Sequence, residues 1–399
     1  MDEYYQAVRA LPAWLASLLA QLPVQTAVRI QELRLRTGCA VTFTVQGRQC
    51  SASALPGCPP KLAAIRLNAL QIEEIFHTLC NGSVHTHERE LAEGYLTTAV
   101  GNRVGVAGQF VQREGQCIAL QKVTSLNLRI ARSCVIPLPP ALDKLLEQHF
   151  TGLLVVGEPG SGKTTTLYAV LQELTAPDKN ILTIEDPVEY ELEGVGQIQV
   201  NPKIGLTFAD GLRSIVRQDP DVILIGEIRD AETAAIAVQS ALTGHLVFST
   251  LHTNDAPGAV TRLFDMGVEP FLLSSVLRGV VAQRLVRMLC PHCREAYLPD
   301  GQELEKLGAA RSAYRPGQPL YRAKGCPDCL DTGYRGRMAI YEIMPVSDAL
   351  KRLIVDKADA NVLGACALSE AMRNLRHDGM LKVIAGLTSL TEVARVTNE

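Results

Sequence analysis

Apolar and polar positions follow two different patterns along the 399 residues of the chain, and the change falls near residue 141. Before that point, helical spacing of apolar residues is mixed with strand-like alternation, and Gly101-Asn102 and Glu114-Gly115 are turn signals. Helices are predicted over residues 8–22 and 68–80, and strands over 31–36, 41–45, 95–100, 103–111, 118–123 and 126–130. Residues 1–136 are therefore predicted to form a small α+β N-terminal domain, followed by a stiff proline-rich linker at 137–140.

Beyond the linker, short apolar runs alternate with helical segments, which is typical of a mostly parallel sheet covered by helices. The predicted strands cover residues 153–156, 181–184, 222–225 and 246–249. We therefore predict an α/β core over residues 141–288. From residue 348 the pattern changes to several short helices, within a predicted C-terminal helical subdomain over residues 333–399.

The segment Gly157–Thr164 has the spacing of a phosphate-binding loop, in which glycine, four residues and Gly-Lys-Thr connect a strand to a helix. Glycines let backbone N–H groups approach phosphate oxygens closely, and the following helix adds the positive end of its dipole. We predict that Lys163 contacts the β and γ phosphates of ATP and that Thr164 binds Mg²⁺. The predicted nucleotide-binding residues are Gly157, Glu158, Pro159, Gly160, Ser161, Gly162, Lys163, Thr164 and Thr165.

Hydrolysis requires, in addition, an acid near Mg²⁺, a group that orients or deprotonates water, and positive charge for the γ-phosphate. Two apolar strands end in carboxylates, Glu185 and Glu227, at the edge where α/β sheets bind ligands. Gly226 precedes Glu227 where the general pattern has aspartate, so coordination of Mg²⁺ by that aspartate is not available. His245 and His252 flank the next strand, and an ordinary core or surface role and a γ-phosphate sensor role both remain open for them.

Four of the eleven cysteines form two C-x₂-C pairs. Two such pairs supply four thiolates for a tetrahedral Zn²⁺, and the long connection between them costs little because loop closure depends weakly on length. We predict a structural zinc element over residues 289–332, with His292 outside the ligand set. The predicted ligands are Cys290, Cys293, Cys326 and Cys329. A redox C-x-x-C motif is the alternative, although that chemistry normally needs only one pair.

The charge of the chain gives no support to a nucleic-acid partner, since the formal net charge is −3. Residues 1–140 carry 13 Lys+Arg against 9 Asp+Glu, and the remaining residues carry 26 against 33. The N-terminal sequence has no basic segment followed by an apolar one, and no apolar run approaches the length of a membrane span. We therefore expect a cytoplasmic protein whose membrane association is peripheral and depends on partners.

Residues 141–399 resemble the type II secretion and type IV pilus assembly ATPases, a branch of the secretion ATPase superfamily. The matching segments are residues 157–166, 181–190, 212–221, 226–230 and 241–254, and the Gly226-Glu227 ending is itself this family's form. The resemblance implies a RecA-like P-loop ATPase domain in which Glu185 is the general base and Glu227 helps to hold Mg²⁺ and its water. It implies that Arg213 and Arg217 stabilise phosphate charge. It also implies assembly rather than retraction, because assembly-type members carry the four-cysteine element.

Residues 1–134 resemble another family of secretion-type ATPases, stage III sporulation protein AA. The matching segments are residues 32–36, 90–97, 102–108 and 125–132. In the superfamily this region caps the motor and contributes arginines to the nucleotide of a neighbouring subunit. Arg103, Arg129 and Arg132 are the candidates, and an ordinary surface or salt-bridged arginine is the alternative for each. The resemblance does not include the long N-terminal docking domain of secretion ATPases.

The two resemblances together imply Mg²⁺-dependent ATP hydrolysis by a homo-hexameric motor that powers assembly of a type IV pilus or a type II secretion pseudopilus. Its expected partner is an integral-membrane platform protein at the inner face of the cytoplasmic membrane. A sporulation-channel ATPase is one alternative, and a nucleotide-gated scaffold without useful turnover is another. A DNA-translocating motor would need a basic pore, which the acidic balance of residues 141–399 does not suggest.

Overall fold

The computed structural model describes residues 2–45, 48–87, 91, 94–98, 101–113, 116–130, 139–140, 142, 152–176, 178–201 and 204–397. The chain separates into two compact units, Met1–Ser133 and Cys134–Glu399. Residues 137 and 138 of the predicted linker lie outside the described residues, and so does Arg132. Among the described residues, no helix combines the length and the apolar character that crossing a bilayer requires.

The first unit contains a six-stranded antiparallel sheet in the order β3-β2-β1-β6-β5-β4. Its strands are β1 Ile30–Arg36, β2 Thr42–Val45, β3 Arg48–Ser51, β4 Tyr95–Thr97, β5 Arg103–Arg113 and β6 Gln116–Arg129. Its helices are α1 Glu3–Arg9, α2 Ala13–Leu19, α3 Val24–Ala27, α4 Pro60–Ala64 and α5 Ala69–Leu79. The α+β character predicted for this region is therefore observed.

Helix α5 matches its prediction because Asn68 forms a capping box with Gln71, each side chain accepting the other residue's backbone N–H at 2.9 Å. The prediction of one helix over residues 8–22 is wrong. The chain breaks between α1 and α2 at Pro12, which disfavours helical geometry in the residue before it. The two strands predicted over residues 118–130 are one strand, β6, and the edge strand β3 was not predicted because its exposed residues show no apolar alternation.

Side chains alternate along the strands of this sheet, so that one face is apolar and the other polar. Leu33 and Leu128 are buried on the apolar face. On the polar face, Arg34 Nε and Asn127 Nδ2 donate hydrogen bonds to the Glu32 carboxylate at 2.9 and 2.7 Å. The first unit thus has a hydrophobic core beneath the sheet and a hydrogen-bonded polar network above it.

The second unit is built on a seven-stranded sheet in the order β15-β12-β7-β11-β10-β8-β9. Its strands, with the separate pair β13–β14, are β7 Gly152–Val156, β8 Ile181–Glu185, β9 Gly196–Gln199, β10 Val222–Ile225, β11 Leu246–Leu251, β12 Leu277–Leu289, β13 Glu295–Tyr297, β14 Leu320–Arg322 and β15 Tyr334–Pro345. Its helices are α6 Lys163–Leu174, α7 Phe208–Ile215, α8 Ala231–Leu242, α9 Ala256–Asp265, α10 Pro270–Val276, α11 Gly301–Lys306, α12 Asp348–Val355, α13 Ala360–Ser369, α14 Leu375–Ile384 and α15 Leu390–Thr397.

All neighbouring strands of this sheet are parallel except β12 and β15. The four predicted strands are confirmed as β7, β8, β10 and β11, and every residue of β7, β8 and β10 is buried. Continuous apolar runs are expected here because helices cover both faces of a parallel sheet. The carboxyl ends of these strands consequently meet along one edge.

Three strands of the sheet were not predicted. β12 follows α10 directly, without turn residues that would mark its start, and β9 is short and mostly polar. β15 pairs antiparallel with β12 at the edge of the sheet, so its alternating charged and apolar residues give no continuous apolar signal. Residues 334–345, predicted to belong to a helical subdomain, are therefore a strand of the central sheet, while the short helices predicted from residue 348 are confirmed.

Candidate active site

A pocket opens at the carboxyl ends of four neighbouring parallel strands, β7, β11, β10 and β8. The phosphate-binding loop after β7 forms one wall, and the residues that end or follow the other three strands form the rest. The lining residues are Pro159, Gly160, Lys163, Thr164, Leu167, Glu185, Asp186, Pro187, Glu189, Leu224, Gly226, Glu227, Thr250 and His252. The loop, both strand-end carboxylates and one of the two histidines therefore share a single pocket.

Lys163 is the first residue of α6 and folds back over the loop that precedes it. Its side chain is mostly buried, and its Nζ atom donates to the carbonyl oxygens of Gly157 at 2.6 Å and Glu158 at 3.1 Å. Burial lowers the pKa of Lys163, and the carboxylates of Glu227 and Glu158 oppose that shift. Hydrogen bonds to neutral carbonyls are weaker than those to an anion, so this ammonium group is expected to donate to a phosphate in preference to the two carbonyl oxygens.

Gln283, on β12, supports the loop from below and was not predicted. It is 1% exposed, its Oε1 atom accepts from the Thr166 hydroxyl at 2.7 Å, and its Nε2 atom donates to the Ser161 carbonyl at 2.9 Å. A Cβ atom on Gly157, whose φ is 150°, would collide with the Gln283 carbonyl oxygen. The loop therefore needs glycine at this position, and β12 fixes both the loop and the first turn of α6.

Glu185 ends β8 and is 2% exposed. The Tyr168 hydroxyl donates to its Oε2 atom, while Thr183 Oγ1 and Gln197 Nε2 donate to its Oε1 atom at 2.6 and 3.2 Å. Burial raises the pKa of Glu185, and the three hydrogen bonds act against that rise. Each donor stabilises the charged carboxylate, so the side chain is fixed at the pocket wall as an acceptor.

Glu227 follows β10 and faces a different environment. Its Oε1 atom pairs with Arg229, and its buried Oε2 atom accepts no hydrogen bond from the described residues. The His252 Nε2 atom lies 3.3 Å from Oε2, at ion-pair distance. An anionic oxygen without a donor at the wall of a polar pocket fits a hard cation or its bound water, and Thr164 offers a hydroxyl in the same pocket.

Gly226 explains why this chain departs from the general strand ending in aspartate and glutamate. A Cβ atom at this position would lie 3.2 Å from the Glu185 Cα atom and 3.3 Å from the Ile184 carbonyl oxygen. A larger residue would push β8 away and move Glu185. The glycine thus keeps the two strand-end glutamates on closely packed neighbouring strands.

The two histidines that flank β11 lie at opposite ends of the strand. His252 lines the pocket, whereas His245 precedes the strand and its Nδ1 atom hydrogen-bonds the Ser240 carbonyl oxygen at 2.8 Å. His245 therefore has a local structural role at the end of α8. The sensor role considered for both histidines stays a prediction for His252 alone.

Arg213 and Arg217, predicted to stabilise phosphate charge, lie on α7 and on the turn after it. Both are exposed, and within the described part of the chain neither lines the pocket. Arg213 forms ion pairs with Glu232 and, at 3.3 Å, with Asp210. Their contact with phosphate stays a prediction.

Two of the three N-terminal arginine candidates, Arg103 and Arg129, lie on the sheet of the first unit. The Arg103 guanidinium stacks over the Tyr95 ring, 4.4 Å from its centroid, and Arg129 stands opposite Glu32 in the β1–β6 register. Arg132 lies outside the described residues. The predicted role of these arginines at a neighbouring nucleotide is not tested by these contacts.

The four predicted metal ligands, Cys290, Cys293, Cys326 and Cys329, converge, and their sulfur atoms all lie within 4.8 Å of one another. The Sγ atoms of Cys293 and Cys329 are 3.7 Å apart, and those of Cys290 and Cys326 are 4.0 Å apart. His292 instead pairs with Asp328 at 3.3 Å, outside the cluster, as predicted. This arrangement is compatible with a tetrahedral Zn²⁺.

The backbone around Cys329 is arranged to stabilise a thiolate. The N–H groups of Cys326 and Gly333 donate to its Sγ atom at 3.3 and 3.2 Å. Burial raises the pKa of Cys329, but these donors and the adjacent thiols outweigh burial and lower it to about 7. Burial raises the pKa of Cys290 and Cys293 in the same cluster, so Cys329 is the thiol of these three that ionises most readily, and the thiolate is the form that binds metals.

Comparison with known proteins agrees with this geometry. The model of the type II/IV secretion system protein family matches residues 113–395. The type II secretion system protein E of Pectobacterium carotovorum subsp. carotovorum is 54% identical over 258 residues, which are 65% of this chain and 51% of that protein. The type IV pilus assembly ATPase PilB of Thermus thermophilus is 50% identical over 256 residues, 64% of this chain and 29% of that protein.

The chain therefore spans about half the length of the secretion-system relative, or less for the pilus one. A solved structure of the pilus retraction motor PilT with bound ADP has a TM-score of 0.62 at 22% identity, and the match covers 95% of this chain and 98% of that one. This likeness shows a shared fold across nearly the whole chain. The predicted fold class, an α/β protein with a RecA-like P-loop domain, is thus confirmed, while the resemblance of the N-terminal region to the sporulation family stays a prediction.

Proposed function

The chain belongs to the type II/IV secretion system protein family, and we propose that it is a Mg²⁺-dependent ATP hydrolase that works as a homo-hexameric motor. The observation that carries the proposal is the meeting of Lys163, Thr164, Glu185 and Glu227 in one pocket. Phosphoryl transfer to water needs a phosphate-binding cation, a metal-binding hydroxyl and carboxylates at one place. High sequence identity to a secretion protein and a pilus assembly ATPase over the part that contains this pocket supports the same conclusion.

The candidate site residues have the following proposed roles. Lys163 and the backbone N–H groups of the loop residues other than Pro159 bind the phosphates, and Glu185 orients or deprotonates the attacking water. Thr164 and Glu227 are the residues that would hold Mg²⁺, which neutralises phosphate charge when bound. His252, which lies beside Glu227, is proposed to sense the γ-phosphate, and Arg213 and Arg217 are proposed to supply further positive charge.

The four-cysteine cluster is proposed to hold a structural Zn²⁺ that stabilises the segment between β12 and β15. Four thiolates close the tetrahedral shell, so no position is left for a catalytic water. Assembly-type ATPases of the resembled family carry a four-cysteine element. Its presence in this chain favours assembly over retraction as the proposed task of the motor.

The proposed client is a type IV pilus or a type II secretion pseudopilus, reached through an integral-membrane platform protein at the inner face of the cytoplasmic membrane. The printed names of the relatives, a type II secretion protein and a pilus assembly ATPase, support this choice. The partner is a proposal because the chain spans only part of those proteins.

The experiment that tests the proposal is a steady-state assay of phosphate release by the purified chain, with ATP binding measured in parallel. Turnover that requires Mg²⁺ and stops in excess EDTA is expected. ATP binding without phosphate release, at any protein concentration and in the presence of membrane extract, would instead support the scaffold alternative.

A further inference from the structure

Glu185 is surrounded by donors whose direction is fixed by the segment that follows β8. We propose that Tyr168 and Gln197 are positioning residues, which hold the Glu185 carboxylate in place and leave one acceptor site for the attacking water. This inference rests on the proposed role of Glu185 in hydrolysis. Neither residue belongs to the phosphate-binding loop or to a strand-end motif, and neither is a predicted site residue.

The direction of the Gln197 amide follows from its other contacts. Its Oε1 atom accepts the backbone N–H of Leu192 at 2.7 Å, so its Nε2 group must face the opposite way. There it donates towards Glu185 Oε1 at 3.2 Å and the Tyr190 carbonyl at 3.2 Å. The backbone of the segment after β8 therefore dictates that Gln197 presents a donor, rather than an acceptor, to Glu185.

The proton of the Tyr168 hydroxyl is directed in the same way. Its oxygen lies 3.3 Å from the Glu189 N–H and 3.4 Å from Gln197 Nε2, and both of these groups are donors. The hydroxyl hydrogen is left for Glu185 Oε2. Tyr168 is fully buried and its ring packs edge-on against Tyr190 at 4.7 Å between centroids, so the hydroxyl cannot turn to solvent.

Counting acceptor sites shows what these donors achieve. A carboxylate offers about four lone-pair positions on its two oxygens. Gln197 and Thr183 occupy Oε1, and Tyr168 occupies one position on Oε2. One acceptor position therefore remains on Oε2, and Glu185 lines the pocket. A single remaining position orients a bound water more strictly than a freely rotating carboxylate could.

The same contacts link Glu185 to the residues that follow it. Glu189 and Pro187 line the pocket, and the segment that contains them is attached to Gln197 and Tyr168 through backbone N–H groups. A displacement of this segment would turn the donors away from Glu185. The base and the wall of the pocket are thus expected to be in place together.

The test uses variants that keep side-chain shape and remove one donor, Tyr168→Phe and Gln197→Met. Each is expected to lower kcat about tenfold, part of the contribution of a positioned base, with KM for ATP changed less than about twofold. Gln199→Met is the matched control, because Gln199 lies on the same strand, opposite Glu185 in the β8–β9 register, but its side chain accepts the Val188 N–H at 3.3 Å and makes no hydrogen bond to Glu185 within the described residues. Its kcat is expected to stay at the wild-type value.

The decisive readout is a double-mutant comparison in a Glu185→Gln background. If Tyr168 and Gln197 act through Glu185, adding either substitution there lowers the residual turnover no further. A second loss of similar size, a rise in KM with kcat unchanged, or an equal loss in Gln199→Met would overturn the inference. If Glu185→Gln alone retains wild-type turnover, the proposed role of Glu185 is wrong. This outcome is distinguishable from failure of the inference about Tyr168 and Gln197, because it is seen without a second substitution. Thermal unfolding midpoints of all variants identify losses that come from unfolding.

Discussion

Glu185 ends β8 and Glu227 follows the neighbouring strand β10, and their carboxylates lie in different environments. Glu185 accepts hydrogen bonds from three side chains, whereas Glu227 pairs with Arg229 through Oε1, and its Oε2 atom accepts no hydrogen bond from the described residues although His252 Nε2 lies 3.3 Å away. A carboxylate whose two oxygens are both held by donors suits orientation of water, and one with an oxygen that accepts no hydrogen bond suits a cation. The division of labour between the two residues is therefore supported by their contacts as well as by family resemblance.

Substitution of each glutamate by glutamine tests this division. Glu185→Gln should bind ATP with affinity close to wild type and lose about 10²-fold or more in kcat, because the base is removed and the phosphate contacts remain. Glu227→Gln should instead raise the Mg²⁺ concentration needed for half-maximal activity. If Glu227→Gln abolishes turnover at saturating Mg²⁺ while Glu185→Gln does not, the assignment of the base is wrong.

The sequence predicts the residues of the pocket that belong to local motifs, and it fails for those whose partners are distant. Lys163, Thr164 and the strand-end glutamates follow from spacing and from an apolar strand next to them. Gln283 reaches the Ser161 carbonyl from 122 positions away, so no local pattern marks it. The sequence marks Gln283 only indirectly, through the glycine at position 157. A Cβ atom at that position would collide with the Gln283 carbonyl oxygen, and this collision can be recognised only in the folded chain.

At the scale of elements, β12 connects the nucleotide pocket with the C-terminal helices. Gln283 on this strand holds the phosphate-binding loop, and Arg287, four residues later, pairs with Glu392 of α15 at 2.6 Å. The strand was not predicted, because it follows a helix without a break and its polar residues interrupt the apolar run. The sequence thus predicts the four parallel strands of the core. The strands that complete the sheet could not be predicted, because they depend on contacts between distant segments.

The environment of Glu392 predicts that the attachment of α15 to β12 depends on pH. The carboxylate is 1% exposed; burial opposes its ionised form, but hydrogen bonds from Arg395 and Arg287 prevail and lower its pKa to about 2. Because the carboxyl pKa is lower in the folded chain than in the unfolded chain, ionised Glu392 stabilises the fold above the unfolded-state pKa. This stabilisation is lost as pH falls towards the folded-state pKa, here between about pH 4.5 and 2. The lowering of the Glu392 pKa from 4.5 to about 2 corresponds to about 3 kcal/mol at neutral pH.

Glu392→Gln should therefore lower the thermal unfolding midpoint at pH 7, and the difference from wild type should shrink as pH is lowered from 5 to 3. Glu305→Gln, at an exposed position of α11, is the matched control and should match wild type throughout. A difference between Glu392→Gln and wild type that stays constant with pH would contradict the ionic origin of the attachment.

The four-cysteine element should contain one Zn²⁺ per chain, measured by metal analysis under reducing conditions. Cys326→Ser should lose the metal and lower the unfolding midpoint, because removal of one ligand opens the tetrahedral shell. Cys366→Ser changes a cysteine outside the cluster and should keep the metal. A zinc-to-chain ratio near zero in the wild type would refute the proposal.

At the scale of the whole molecule, the chain contains two units, and the family model matches residues 113–395, across the boundary between them. The fold likeness covers nearly all of it, whereas the high-identity relatives match about 65% of it. If the motor is a hexamer in which N-terminal arginines act on a neighbour's nucleotide, each active site needs two chains. The oligomer and the exchange of arginines are then testable in one experiment.

Mixtures of two inactive variants provide that experiment. Lys163→Ala removes phosphate binding, and Arg103→Ala with Arg129→Ala removes the proposed trans arginines. Oligomers formed from both should regain part of the turnover, because some sites combine an intact loop with an intact arginine donor. Arg66→Ala, an exposed arginine of the same unit, should be active without mixing. Absence of recovery at every mixing ratio, with mixed oligomers verified by size, would contradict action between subunits.

The central claim, that ATP is hydrolysed in the pocket at Lys163, is tested most directly by comparing phosphate release from wild type, Lys163→Ala and Lys351→Ala. Lys351 lies on α12 and pairs with Asp348, outside the pocket, so it controls for loss of a lysine. The account predicts turnover in wild type and Lys351→Ala and its abolition in Lys163→Ala. Undiminished hydrolysis by a folded Lys163→Ala chain would contradict it.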